Sequence, residues 1–434
     1  MGRKQKHEVR LNLNVRGLKP SATLAINERS AALRAQGREV YRLGLGQSPF
    51  PVAAPVVEAL RRHAHEKDYL PVKGLPALRE AVAAYLRRSQ HLSYTGDDVL
   101  VGPGSKELMF LLQLVYYGDL VIPTPSWVSY APQAHIIGRT VRWVTTRAED
   151  GWRLVPSELE RICQDDPDRP RIVILNYPSN PTGRSYPIDE LKALARVARE
   201  HRVVLVSDEI YGELHHRGQH VSVARFYPEG TIVSGGLSKW CGAGGWRLGV
   251  FAVPESLRWL LDALAAVASE TFTSTAAPIQ FAAVRAYEGG PEIERYLDHG
   301  RRLLRGLGRY CAAALGKVNI SVPEPQGGFY LFPSFEPVAA QLAQRGVATS
   351  AALCEQLLEQ AGVALLPGSD FGRPEQELTV RLAYVDFDGA RALEAIDQLP
   401  RDAQVDEAFL REHCGPTVTG VQRICEWVER APAG

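Results

Sequence analysis

Between residues 53 and 255 the chain alternates short apolar runs with segments of helical spacing, and this alternation most restricts its fold. Leu120–Ile122, Val141–Thr145, Ile172–Leu175, Val203–Val206, Thr231–Val233 and Leu248–Val253 read as strands. Val57–Glu66, Leu75–Arg88 and Ile188–His201 place apolar residues three and four apart, with charges on the opposite face. Strands that are apolar on both faces, separated by such helices, form a largely parallel sheet covered on both sides. The fold class expected is therefore α/β.

A long helical stretch, Pro291–Leu315, leaves this unit. Beyond it, strand-like Phe329–Phe332, Val363–Leu366 and Thr379–Val385 surround helices Ala351–Ala361 and Gly389–Leu399. The expected division is a large domain over 53–315 and a smaller α+β domain formed by 1–52 and 316–434. A helix is expected over Ala25–Gln36. Within 402–434, the spacing of Val421, Ile424, Cys425 and Val428 predicts an added amphipathic helix packed on the small domain.

Charge and cysteine usage exclude several classes. The 50 basic and 49 acidic residues nearly cancel, so no global field favours nucleic acid or an anionic membrane. Leu108–Tyr117 and Trp259–Ala268 are too short to span a bilayer, and the opening MGRKQKHEVRLNLN lacks an apolar signal core. Lys6 stands where a myristoylation signal needs Ser or Thr. Six scattered cysteines without a CxxC pair read as free thiols, and the expected location is the cytoplasm. His215, His216 and His220 read as a solvated loop, and no metal is expected.

Four segments near strand ends carry the chemistry. In VGPGSKELMF, Gly104-Ser105-Lys106 opens a helix after a short strand, where free backbone N–H groups can bind phosphate; alone, Ser105 reads equally as an N-cap. NYPSNPTG (176–183) is a turn after a strand. In VLVSDEIYGEL, Asp208 ends an apolar strand, where open α/β sheets bind ligands, and Tyr211 follows. In VSGGLSKWCGAGGWRLG, Lys239 lies in a Gly-rich stretch with Arg247 eight residues on. Only nine lysines stand against 41 arginines, and a constricted lysine suits Schiff-base chemistry.

Read together, in order and spacing, these motifs resemble the class I/II aminotransferases, the fold type I enzymes that depend on pyridoxal 5'-phosphate (PLP). The resemblance runs from about Ser21 to Leu399. It implies a seven-stranded, mostly parallel sheet and a ping-pong reaction moving an amino group from an L-amino acid to a 2-oxo acid. It further implies that Lys239 joins the cofactor and shuttles the substrate proton, while Asp208 pairs with the pyridine nitrogen. Asn180 and Tyr211 would hydrogen-bond the ring oxygen, and Trp127, in PTPSWVSY, would stack on the ring. Gly104, Ser105, Lys106, Ser238 and Arg247 would surround the phosphate. Arg381, in LTVRLAYV, would grip the substrate α-carboxylate, with the Gly46 backbone and Asn180 nearby. Tyr69, in KDYLPVKG, matches a residue that reaches the neighbouring subunit's phosphate, which implies a homodimer with shared active sites and small-molecule substrates.

The sequence departs from the family pattern in places. Gly236 stands where a Ser or Thr usually meets the phosphate, with Ser234 or Ser238 as candidate substitutes. GQSPF shifts a proline by one position. Tyr41, Tyr130 and Phe272 are candidate specificity residues, and no arginine is identifiable for a second substrate carboxylate. The resemblance implies cis bonds at Thr124–Pro125 and Asn180–Pro181. A PLP-dependent lyase or cyclising synthase is the alternative on the same fold, and a non-catalytic binding module is a remoter one.

Overall fold

The structure, a computed structural model, describes residues 11–18, 20, 22–401 and 403–430; Lys6, Ser21, residue 402 and 431–434 lie outside them. Seven strands form the main sheet: β1 Val99–Gly102, β2 Asp119–Thr124, β3 Val141–Thr145, β4 Arg171–Asn176, β5 Val204–Asp208, β6 Thr231–Gly236 and β7 Gly249–Ala252. Their order is β1-β7-β6-β5-β4-β2-β3, and only β7 runs antiparallel to its neighbours. The α/β class is thus as expected.

Strand alternation explains the layers. In β4, Ile172 and Ile174 face one side and pack with Leu108, Leu112 and Leu261 from helices Ser105–Val115 and Arg258–Thr271. Val173 and Leu175 face the other side and pack with Leu159, Leu191 and Leu194 from helices Pro156–Asp165 and Ile188–Glu200. Each such fully buried aliphatic side chain contributes roughly 1.5–3 kcal/mol. Helix Ile188–Glu200 carries Asp189 and Glu190 in its first turn and Arg199 in its last, matching the helix dipole.

A second, antiparallel sheet has the order β8-β10-β9, from β8 Tyr330–Leu331, β9 Leu366–Pro367 and β10 Val380–Ala383. The strand expected over Val363–Leu366 therefore begins later. Helix Pro291–Lys317 joins the two sheets and buries Leu297, Leu304, Leu307, Cys311 and Leu315 along one stripe. Helix Gly415–Glu429 buries Val421, Ile424, Trp427 and Val428; the Cys425 thiol meets the Ala314 carbonyl at 3.5 Å, and the Trp427 indole donates to Gln360 Oε1 at 2.8 Å.

Three local expectations need correction. The cis bonds are Thr124–Pro125 and Tyr177–Pro178, so Asn180–Pro181 is trans; in the run YPSNP the isomer belongs to the first proline. Two of the three histidines are not solvated, whereas His215 is half-buried beside the exposed residues 217–219. His216 is buried, its ring nitrogens meeting the Pro325 and Gly328 carbonyls at 3.2 and 3.0 Å, and His220 is buried against Glu209. Tyr41 is buried and packs beside Gly420 of the last helix.

Candidate active site

The register of the sheet aligns Asn176, Asp208 and Ser234 at the carboxyl ends of β4, β5 and β6. Beyond this edge opens a cavity of about 470 Å³, lined by Gly46, Ser105, Lys106, Trp127, Asn180, Asp208, Tyr211, Ser238, Lys239 and Arg247 among others. Sequence positions more than a hundred residues apart thus converge because all four motifs follow strands that end at one edge.

Lys239 is partly buried on the cavity wall, and its Nζ donates to the Gly46 carbonyl at 2.9 Å. Burial, with Arg381 and Arg247 adding to it and Asp208 opposing, pushes its pKa down to about 8. A neutral, nucleophilic amine is therefore accessible near neutral pH. Asp208 is buried. Its Oδ2 accepts from the Tyr130 hydroxyl and its Oδ1 from the Ile210 amide at 3.4 Å. Burial nonetheless raises its pKa to about 6, the Tyr130 bond acting in the opposite sense.

The other end of the cavity is cationic. Ser105 begins an 11-residue helix after Gly104, whose φ is 96°. A Cβ on Gly104 would lie 2.2 Å from Arg247 Nη2, so glycine lets the guanidinium lie against the helix start. Arg247 donates to the Gly244 carbonyl at 2.9 Å and holds a left-handed φ of 53°. Lys106 Nζ lies 5.6 Å from the Trp127 ring centroid; burial and Arg247 both lower its pKa. Ser238 lines this cavity, whereas Ser234 lines a separate one behind the sheet, which removes it as a substitute for the hydroxyl missing at Gly236.

Arg381, on β10, is sealed behind Asn180 rather than lining the wall. Its Nη1 donates to Asn180 Oδ1 at 3.2 Å and its Nη2 to the Gly44 carbonyl at 2.6 Å, while Nε is buried without a partner. The Tyr330 and Phe371 rings flank it at 4.8 and 5.1 Å. Gly46 is tight: a Cβ there would fall 2.0 Å from the Tyr330 hydroxyl. Tyr69 stands apart, 89% exposed between helices Ala54–His63 and Pro76–Gln90, outside the cavity of its own chain.

The sequence does not reveal what several residues do, and Tyr130 and Phe272 are not the specificity residues expected. Tyr130 holds Asp208 from behind instead of lining the cavity, and Phe272 packs with the sheet-covering core. Asn176 braces two elements: its Nδ2 donates to the Asp208 carbonyl at 3.0 Å, and its Oδ1 accepts the Asn180 amide at 2.7 Å. Tyr330 meets the Tyr211 hydroxyl at 2.9 Å. Asn176 was within a recognised motif, but Tyr330 sits in an apolar strand with no distinguishing neighbour.

Comparisons with known proteins agree with this geometry. The family described as aminotransferase class I and II matches residues 38–397. An aspartate aminotransferase of Geobacillus stearothermophilus is 36% identical, covering 90% of this chain and 96% of that relative. An aspartate/prephenate aminotransferase of Thermus thermophilus is 34% identical over 86% of this chain and 94% of its own length. The structure of Thermus thermophilus aspartate aminotransferase with maleate superposes with a TM-score of 0.82 at 30% identity, covering 96% of this chain and all of that one. The chain belongs to the class I and II aminotransferase family. It is a PLP-dependent enzyme of the fold type I architecture, and its reaction is a transamination.

The side chains suit that cofactor. An amine stands between a buried carboxylate at one end of the cavity and a helix N-terminus with an arginine at the other, as an aldehyde-bearing pyridinium phosphate requires. Among the described residues no cluster of His, Cys, Asp or Glu is arranged to hold a metal, and no helix is long and apolar enough to cross a membrane.

Proposed function

We propose that the chain moves the amino group of a dicarboxylic L-amino acid, L-aspartate foremost, to a 2-oxo acid in two half-reactions at one site. The observation that carries this reading is the distribution of cations around the cavity. Arg247 lies at the helix start suited to the phosphate, Lys239 carries the reactive amine, and Arg381 backs the cavity-lining Asn180 through its Nη1, where it suits the α-carboxylate. Lys106 is then the remaining cavity cation, placed above Trp127 to meet a second carboxylate. The relatives' names, aspartate and aspartate/prephenate aminotransferase, support the same substrate class.

When bound, PLP supplies a ring that withdraws electrons from the substrate Cα. Asp208 would hold the pyridine nitrogen and, as an anion, favour a proton there, while Asn180 and Tyr211 would hold the ring oxygen and Trp127 would cover a face. The Lys239 amine, which lines the cavity, would be the base that removes and holds the Cα proton. Arg381 and the Gly46 backbone fix the α-carboxylate and so direct the Cα–H bond toward that amine.

The working unit is a homodimer in which Tyr69 of each subunit completes the other's phosphate site. Its exposure and its place on a loop outside its own cavity support this assignment. Adding L-aspartate alone to the holoenzyme should shift the cofactor's visible absorption, and 2-oxoglutarate should restore it. Lys106→Ala should lower kcat/KM for aspartate roughly tenfold to a hundredfold, the range for a lost charge-assisted contact, and leave L-alanine nearly unchanged. An equal effect on both donors would exclude Lys106 as the reader of the second carboxylate.

A further inference from the structure

Behind the sheet edge that carries Asp208 lies a second polar assembly which the reaction does not use. Side chains alternate along β5, so Asp208 faces the cofactor cavity while Ser207 and Glu209 face away from it. Glu209 is buried, with 7% of its side chain exposed, as is its partner His220. His220 Nε2 meets Glu209 Oε2 at 2.8 Å, so that nitrogen carries the proton it donates. Ser207 Oγ donates to Glu209 Oε1 at 2.6 Å. Ser207 Oγ also lies 3.2 Å from the Tyr177 hydroxyl, which accepts the Val223 amide at 2.7 Å. One chain of hydrogen bonds thus ties the turn at 220–223, the strand end of β5 and the motif after β4.

The pair also borders a small cavity of about 40 Å³ shared with Tyr85, Glu213, Ser234 and Tyr287. Glu213 is already held by Arg301 and by the Tyr85 hydroxyl at 2.6 Å. His215 lies near enough for its charge to bear on His220, and Tyr94 near enough to feel Glu209. His220 Nδ1 has no hydrogen-bond partner, which leaves Nε2 as the ring's one anchored nitrogen. Among the described residues His220 is therefore the one group with ionic character bonded to the Glu209 carboxylate.

We propose that Glu209 and His220 are positioning residues for Asp208: His220 holds the Glu209 carboxylate away from the cofactor side and offsets its charge, so that Asp208 presents an anion in a fixed orientation. The inference rests on reading Asp208 as the partner of the cofactor's pyridine nitrogen. Its electrostatic basis is that the Glu209 charge raises the proton affinity of the adjacent Asp208, and an opposing donor limits that effect.

The test uses the holoenzyme and three readouts: the pH midpoint of the cofactor's visible absorption, the PLP dissociation constant and the melting temperature. His220→Phe leaves Glu209 less compensated and should raise the midpoint by roughly half to one pH unit, the scale of one altered neighbouring charge. Glu209→Gln removes the charge while keeping the shape, and should move the midpoint downward. The double variant should return toward wild type, and His220→Gln, which keeps a donor, should fall between. Opposite displacements are what a purely structural role cannot produce. Lower melting temperatures with an unmoved midpoint in Glu209→Gln and His220→Gln would overturn the proposal, even if His220→Phe does not fold. Asp208→Asn is measured in parallel. If it too leaves midpoint and PLP affinity unmoved, the reading of Asp208 itself fails; if it moves them and the pair does not, only the positioning role fails.

Discussion

Lys239 and Arg381 belong to different sheets, and only the first lines the cavity. Lys239 stands on a Gly-rich turn just beyond β6, on the cavity wall. Arg381 lies within β10 of the smaller sheet, buried between aromatic rings and donating to the Asn180 side chain and the Gly44 carbonyl. Reactive groups at strand ends can move and exchange partners, whereas a strand-borne arginine is fixed by packing and meets substrate through the Asn180 contact it shares. In the proposed reading the large sheet therefore supplies the chemistry, and the small sheet supplies the reference frame that orients the substrate.

Replacing one residue on each side separates these roles. Lys239→Ala should cut kcat by at least roughly a thousandfold, since the proton shuttle and the cofactor's attachment are lost together, while the far-ultraviolet circular dichroism stays unchanged. Arg381→Lys keeps the charge but loses the planar fork. It should reduce kcat/KM by roughly a hundredfold, chiefly through KM, with the cofactor's absorption intact. An altered spectrum in Arg381→Lys would mean that the small-sheet side also shapes the cofactor's environment.

A smaller effect is expected at the proposed dimer contact. Tyr69→Phe should weaken PLP binding roughly tenfold to a hundredfold, the consequence of one lost charge-assisted hydrogen bond. Mixed dimers of Lys239→Ala and Tyr69→Phe chains should regain one site of wild-type affinity. If every lysine-bearing site in the mixture stays weak, Tyr69 acts within its own chain.

The smallest effect concerns stability without cofactor. The folded pKa of Lys239 is about 8, below its ordinary value. The unfolded chain thus binds more protons between pH 8 and about 10.5, and stability should rise as pH increases through that window. Below pH 8 the buried charge carries its full cost, up to ~3 kcal/mol. Lys239→Met should accordingly be the more stable protein at pH 7 once stripped of PLP, and the difference should close toward pH 10.5 in urea titrations.

The same contrast explains what could be read from the sequence. Turn-forming Gly, Pro and Asn residues mark the ends of β1, β4 and β6, and a carboxylate ends the apolar run of β5, so Gly104–Lys106, Asn180, Lys239 and Asp208 are legible in the sequence. Arg381 carried no such punctuation, and only the family resemblance raised it above an ordinary strand residue. Tyr130, Asn176 and Tyr330 act on other side chains, and residues that act through contacts leave no local pattern. The histidines were misread because a polar loop sequence, HHRGQH, gives no sign that Glu209 and two backbone carbonyls will draw His220 and His216 inside. The isomer in YPSNP was misplaced because both prolines satisfy the same local rule.

The central claim is that Lys239 is the residue that carries the cofactor. Borohydride reduction of the holoenzyme followed by proteolysis and mass spectrometry tests it directly. The pyridoxyl group is expected on the peptide containing Ser238-Lys239-Trp240, at close to one per chain. Labelling of Lys106 or Lys73 in its place would contradict the account of the site from the cavity outward.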